Sequence, residues 1–306
     1  MINPELNAFL AAWADGWSTL PPGSSPAARR AHFEVVAARM RQPMPDGVTT
    51  QERWIERDGR RVRVRSFRVP AASPQRSMIY LHGGAFMQGS PETHWDITSS
   101  IAARTGRAVF SVDYAKAPER PFPAAVHDVQ AVVRWLFDEA GTLGLDRDHI
   151  AIGGDSAGAN LSAAMTLAFR GTGCRLERQL LVYPCCDFDT TRPSYRENPD
   201  DPIVTTASMP AVNAMYCPDP AMQRDPLAAP LLAETHEGLP PAYVAVAEHD
   251  PLRDSGLAYA EALRHAGVPL LLDHGPGLIH GYLRAMVYCN EVRESFGRMC
   301  DWLSEP

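Results

Sequence analysis

Ile150-Ala151-Ile152-Gly153-Gly154-Asp155-Ser156-Ala157-Gly158 joins an apolar run to a stretch of helix-forming residues that continues to Phe169. The apolar run reads as a buried strand and the stretch after it as a helix, so Gly154-Asp155-Ser156-Ala157-Gly158 is a GxSxG sequence set at a strand-to-helix turn. A serine hydroxyl is a poor nucleophile unless it stands at a sharp turn where a base can reach it. Glycines on both sides let the backbone bend there and let helix and strand pack without a Cβ clash.

Outward from this turn the chain keeps one rhythm. Short apolar runs at 78–81, 108–112, 149–153, 179–183, 243–247 and 269–272 alternate with predicted helices at about 95–105, 124–139, 156–170, 253–266 and 283–303. Buried runs alternating with helices indicate parallel strands joined by right-handed crossovers. Upstream, 51–55 and 62–69 flank Asp58-Gly59, a hairpin turn signal, which adds an antiparallel pair. The expectation is an α/β chain with a mostly parallel, eight-stranded sheet and helices on both faces. The first forty residues place Leu6, Phe9, Leu10, Trp13 and Trp17, then Phe33, Val36 and Met40, at helical spacing, with Pro21-Pro22-Gly23 between the two sets. Two amphipathic helices follow from that spacing. Between Asp187 and Leu239 the rhythm breaks into prolines and polar residues around an apolar patch at 209–215. A stretch that long without a strand reads as an insertion outside the sheet.

The 306 residues, 45% of them hydrophobic, suffice for one α/β domain with insertions. A net charge of −7 without a lysine stripe argues against a nucleic-acid partner. No run of about eighteen apolar residues is present, and the start shows no basic segment followed by an apolar one, so a soluble, cytoplasmic protein without a membrane role is expected. Six cysteines show no CxxC spacing and read as reduced thiols. Cys185 and Cys186, after an apolar strand, read as buried packing or as pocket lining. No HExxH and no glycine-rich phosphate loop with a following lysine occurs, so neither a metal nor another cofactor is expected.

In open α/β sheets ligands gather at the carboxyl ends of strands, which selects the polar residues just past each apolar run. Three places carry what serine hydrolysis requires: Ser156, Asp250 within Glu248-His249-Asp250-Pro251-Leu252-Arg253-Asp254, and His280 within Ile279-His280-Gly281-Tyr282. The chain order Ser, Asp, His is that of a triad built on such a sheet. In these roles Ser156 attacks a carbonyl carbon, His280 takes its proton and returns it to the leaving group, and Asp250 fixes the imidazole tautomer. His274 competes as the base, and Glu248 and Asp254 compete as the acid. His82-Gly83-Gly84-Ala85 follows the 78–81 run and can aim backbone N–H groups at a developing oxyanion, with Ala157 N–H as a further donor.

These residues resemble the bacterial hormone-sensitive-lipase-like branch of the α/β-hydrolases, which includes small carboxylesterases and acetyl esterases. The resemblance rests on HGGAF at 82–86, DYAKAPERPFPAA at 113–125, GDSAG at 154–158, DPLRD at 250–254 and HGY at 280–282. It implies the α/β-hydrolase fold with a helical cap, Ser156 as nucleophile, Asp250 as acid, His280 as base, and Gly83, Gly84 and Ala157 as oxyanion donors. It also implies a cap built from 1–48 and an insertion around 187–235, over a catalytic domain of 49–306. Two departures stand out. Ala85 occupies the place of a third glycine, and Ala115-Lys116 follows Asp113-Tyr114, a change bearing on pocket shape.

The resemblance further implies a small-molecule ester of a short acyl chain, acetyl to hexanoyl, as substrate, and a homodimer through the last strand and helix. Phe86, Met87 and Tyr183 lie at predicted strand ends and line the acyl pocket or pack in the core. Two rivals stay open: an amide, carbamate or aryl-ester hydrolase on the same residues, and a non-catalytic small-molecule receptor of the same fold.

Overall fold

In the computed structural model, which describes residues 1–71 and 73–305, α1 (Asn7–Trp17) and α2 (Pro26–Met40) precede a hairpin of β1 (Thr49–Arg57) and β2 (Arg60–Arg68). Asp58 and Gly59 both have positive φ, 51° and 70°, the geometry that lets a two-residue turn match strand twist. From there strands and helices alternate: β3 (Gln75–Leu81), α3 (Trp95–Thr105), β4 (Ala108–Asp113), α4 (Ala124–Glu139), β5 (Leu145–Asp155), α5 (Ala157–Phe169) and β6 (Gln179–Val182). Two helices, α6 (Pro193–Glu197) and α7 (Met209–Tyr216), occupy the expected insertion, and β7 (Ala242–Ala245), α8 (Arg253–His265), β8 (Leu270–Asp273) and α9 (Asn290–Ser304) complete the chain.

The eight strands form one sheet in the order β1-β2-β4-β3-β5-β6-β7-β8, antiparallel from β1 to β4 and parallel from there to β8. Alternation along each strand divides the core. Met78, Tyr80, Val109, Ala151 and Val182 face a cluster that includes α3 and α9 residues, whereas Ile79, Leu81, Phe110, Val112 and Ile152 face α4 and α5. α8 lies on the α5 side, packing Tyr259, Ala260 and Leu263 against Leu181 and Val244. The chain leaves β3 toward β4 on one side and leaves β5 toward β6 on the other. A crevice therefore opens above the ends of β3 and β5, where strand order reverses.

Close packing at that point dictates residue size. A Cβ on Gly158 would lie 1.9 Å from the Leu81 carbonyl oxygen, a backbone atom that cannot step aside without breaking the β3–β5 pairing. Gly158→Ala is accordingly expected to lose at least about 4 kcal/mol of stability. Denaturant unfolding measures this, and an unchanged midpoint would show that helix and strand do not approach so closely.

One element departs from the expectation. The helix read at 283–303 is interrupted: Tyr282–Ala285 forms a 3-10 turn, and α9 starts only at Asn290. Gly281 turns left-handed at φ 71°, and the Glu5 carboxylate accepts the Asn290 N–H at 2.6 Å, fixing a new helix start from a distant part of the chain. The N-terminal helices rest on this region, with Phe9 beside Tyr288 and the Arg284 guanidinium 4.8 Å from the Phe33 ring centroid. Among the described residues no helix is long and apolar enough to cross a membrane.

Candidate active site

Ser156 stands between β5 and α5 with φ 54° and ψ −119°, a conformation that costs a non-glycine residue about 1–3 kcal/mol and holds only where surroundings enforce it. The enforcement is visible: Ser156 N–H donates to Val182 O at 2.8 Å, its carbonyl accepts from Asn160 N at 3.1 Å, and the β3–β5 pairing reaches Gly154. The turn thrusts the side chain above the sheet. Only 8% of the residue is exposed.

Asp250 and His280 reach it by an extension of the β7–β8 pairing. Beyond Ala245 and Asp273 the two chains stay side by side, with Glu248 N donating to Gly275 O at 3.1 Å, His249 N to Leu278 O at 2.9 Å, and a parallel bridge between His249 and Ile279. Asp250 and His280, each one residue further, must then be neighbours. His280 Nδ1 lies 2.7 Å from Asp250 Oδ2, and His280 Nε2 lies 2.9 Å from Ser156 Oγ. Asp250 Oδ1 accepts Leu252 N–H at 2.7 Å, so one oxygen is fixed by backbone and the other faces the ring. The carboxylate accepts from Nδ1–H and leaves Nε2 free to accept the serine proton. Burial pulls the imidazole down, but the Asp250 charge, with Asp201 and Asp155 behind it, outweighs burial and holds His280 above its ordinary value.

The competing candidates lie elsewhere. Glu248 accepts Gly277 N–H at 2.7 Å, Asp254 accepts Ser194 N–H at 2.8 Å, and His274 is exposed.

The loop after β3 turns toward the nucleophile elbow. Gly83 N–H, expected to face an oxyanion, is donated to Asp155 Oδ1 at 2.9 Å, because the buried Asp155 carboxylate must satisfy its acceptors and Gly83 is the adjacent backbone donor. Gly84 and Ala85 follow with φ 128° and 54°, a tight turn closed by Met87 N and Gln88 N donating to Gly84 O. Among the described residues the N–H groups of Gly84, Ala85 and Ala157 have no hydrogen-bond partner. Ala157 opens α5, where the positive end of the helix dipole adds to its N–H.

Of the residues expected to line a pocket, Phe86 is packed in the core, its ring stacked on Tyr216 with centroids 3.5 Å apart, and Met87 is half-buried. Tyr183 is also buried. Its ring centre lies 4.8 Å from that of His280 and its hydroxyl donates to Asp155 Oδ2 at 3.4 Å, so it fills the space between base and nucleophile turn. Cys185 and Cys186 are buried, and burial pushes both thiols up. Ala115 N donates to Asp128 and Ala117 N to Phe86 O, so the segment after Tyr114 ties down the loop beyond Gly84.

Two contributors escaped the sequence. Asp155, inside the GxSxG stretch, also accepts the Tyr80 hydroxyl at 2.8 Å and so joins β3 to the nucleophile turn. Asp201, in the insertion, accepts His280 N–H at 3.2 Å. The Asp201-Pro202 pair signals a turn, but nothing local says which loop that turn meets. Among the described residues no group of three or more His, Cys, Asp and Glu is arranged to hold a metal ion.

Residues 78–284 match a protein family described as having the alpha/beta hydrolase fold. The carboxylesterase NlhH of Mycobacterium tuberculosis is 37% identical over 277 residues, covering 87% of this chain and 86% of its own, and an ethyl acetate hydrolase of Pseudomonas putida is 31% identical with 99% of each covered. Among solved structures, an esterase from Pyrobaculum calidifontis superposes with a TM-score of 0.89 at 31% identity, covering 99% of this chain and 98% of its own. The match spans the elbow, the glycine loop and both loops that carry Asp250 and His280, and the chain belongs to the α/β-hydrolases, in their bacterial hormone-sensitive-lipase-like branch of carboxylesterases.

Proposed function

We propose that the protein hydrolyses carboxylic esters of short acyl chains through a Ser156–His280–Asp250 triad and an acyl-enzyme. The supporting observation is one imidazole held between Ser156 Oγ at 2.9 Å and Asp250 Oδ2 at 2.7 Å. Ser156 Oγ attacks the ester carbonyl as its proton passes to His280 Nε2, and the imidazolium is stabilised by Asp250. The oxyanion accepts from Gly84, Ala85 and Ala157 N–H, donors of a kind worth ~10²–10³ in rate each. Collapse breaks the ester C–O bond, and His280 protonates the departing alkoxide to an alcohol. Water then repeats the sequence on the acyl-serine, with His280 taking its proton, and releases the carboxylic acid.

Crowding supports the short-chain reading, since the nucleophile is only 8% exposed and the buried Tyr183 ring lies 4.8 Å from that of His280. In this reading residues 1–48 and 187–235 form a cap. Its support is that α2 seats Phe33 on Arg284 and that the insertion reaches His280 through Asp201.

The deciding experiment uses p-nitrophenyl esters from acetyl upward beside a radiolabelled organophosphate. The expected result is turnover that is greatest between acetyl and hexanoyl and falls with longer chains, with one phosphoryl adduct on Ser156. Absence of both chromophore release and adduct would leave the fold as a binding protein. Turnover of anilides in preference to esters would redirect it to amide substrates.

A further inference from the structure

Asp201 has no place in the triad, yet its carboxylate is built into the site. The residue is 5% exposed and lies in the insertion between β6 and β7. Its Oδ1 accepts Ile203 N–H at 2.8 Å and Val204 N–H at 2.9 Å, closing a turn that a bridge between Asp200 and Thr205 supports. Its Oδ2 accepts His280 N–H at 3.2 Å. The same turn sets Ile203 over the base loop so closely that a Cβ on Gly281 would meet Ile203 Cδ1 at 3.1 Å. The insertion therefore grips the polypeptide on both sides of the His280 α-carbon, by a hydrogen bond before it and an apolar contact after it.

We propose that Asp201 is a positioning residue for the base, holding the His280 backbone from the insertion and adding a second negative charge that favours the imidazolium formed in turnover. This rests on the triad reading above. Asp250 holds the ring through Nδ1; Asp201 holds the main chain that carries the ring. A base displaced by a fraction of an ångström from its serine loses rate disproportionately, so a contact on the main chain that carries the ring still bears on chemistry.

The charged groups around the imidazole are Asp250 from the loop after β7, Asp201 from the insertion and Asp155 from the end of β5. Burial, then the neighbouring Asp250 charge, push the Asp201 carboxyl up to about 6, against the pull of His280 and the two turn N–H groups. Above that pH the ionised carboxylate faces His280 and raises its proton affinity. Removing the charge lowers that affinity, so the acidic limb of kcat/KM, which needs a neutral imidazole, must move to lower pH. The plateau at high pH must fall at the same time, because the imidazolium in the transition state is less stabilised and less well placed.

The test is Asp201→Asn, which keeps the size of the side chain but removes its charge and sets an amide against His280 N–H. Asp201→Ser, whose hydroxyl can still close the turn to Ile203 and Val204, is made beside it in case the first does not fold. Each is compared with the wild type by kcat/KM for p-nitrophenyl butyrate from about pH 4 to 9, with active sites counted by organophosphate labelling. The expected result is a plateau about 10-fold lower per labelled site and an acidic limb shifted down by about half a pH unit or more. A limb that stays in place, whether or not the plateau falls, would overturn the proposal and leave Asp201 as a turn residue only. A wild type that takes no label at Ser156 would instead defeat the triad reading, which the unchanged limb does not touch.

Discussion

Ser156→Ala is expected to fold as the wild type does and to lose about 10⁴–10⁶-fold in kcat, equivalent to roughly 5–8 kcal/mol of transition-state stabilisation. The substitution deletes one oxygen at a residue whose backbone geometry is imposed by Val182, Asn160 and the β3–β5 pairing, none of which involves the hydroxyl. Stability should therefore change by less than about 1 kcal/mol. Activity cannot survive on the same terms, since without Oγ no acyl-enzyme forms and the amides of Gly84, Ala85 and Ala157 can only assist direct attack by water. That residue of catalysis is typically about 10³-fold over the uncatalysed reaction. Stopped-flow or discontinuous assay of a p-nitrophenyl ester, paired with a denaturant melt, measures both. A variant retaining more than a few per cent of wild-type kcat would move the nucleophile away from the elbow.

Asp250→Asn is expected to cost about 10⁴-fold in kcat, the size of loss known for replacing a triad carboxylate by its amide when that leaves the wrong imidazole tautomer. An Asn side chain can present an N–H to His280 Nδ1 at the 2.7 Å contact, which drives the ring to the tautomer with its proton on Nε2. A proton there faces Ser156 Oγ, and the base is blocked although the geometry is intact. Asp254→Asn serves as the control, since Asp254 accepts from Ser194 N and Arg253 Nε and makes no contact with His280. Its expected cost is a few-fold in rate, together with a modest loss of stability from a looser α6. The reverse ranking in a steady-state assay would show that the acid is not Asp250.

The agreement between sequence and structure is uneven in an instructive way. The eight strands and the helices at 95–105 and 124–139 were legible because period two and period 3.6 are local properties, repeated often enough to outweigh accident. The elbow was legible because only glycine tolerates the approach of Leu81 O to position 158. The insertion was legible as missing rhythm, but its contents were not, since helices as short as α6 leave too few repeats to read.

Residue types and order along the chain determined the α/β class, the Asp58-Gly59 hairpin, the turn that exposes Ser156, and a short set of acids and bases that could serve it. Which of them meet was decided by tertiary structure. His280 and Asp250, and not His274, Glu248 or Asp254, are brought beside Ser156 by the pairing that continues past β7 and β8 to His249 and Ile279, a contact between stretches thirty residues apart. Gly83 N–H is directed to Asp155 because an amide points where φ and ψ send it, and a carboxylate buried at position 155 claims the nearest one. The break before α9 depends on Glu5, and the grip on His280 depends on Asp201; each is a hydrogen bond whose partner lies in another part of the chain. Local sequence sets the conformations a segment can adopt, whereas the direction of a donor and the identity of its acceptor are settled only when distant segments pack.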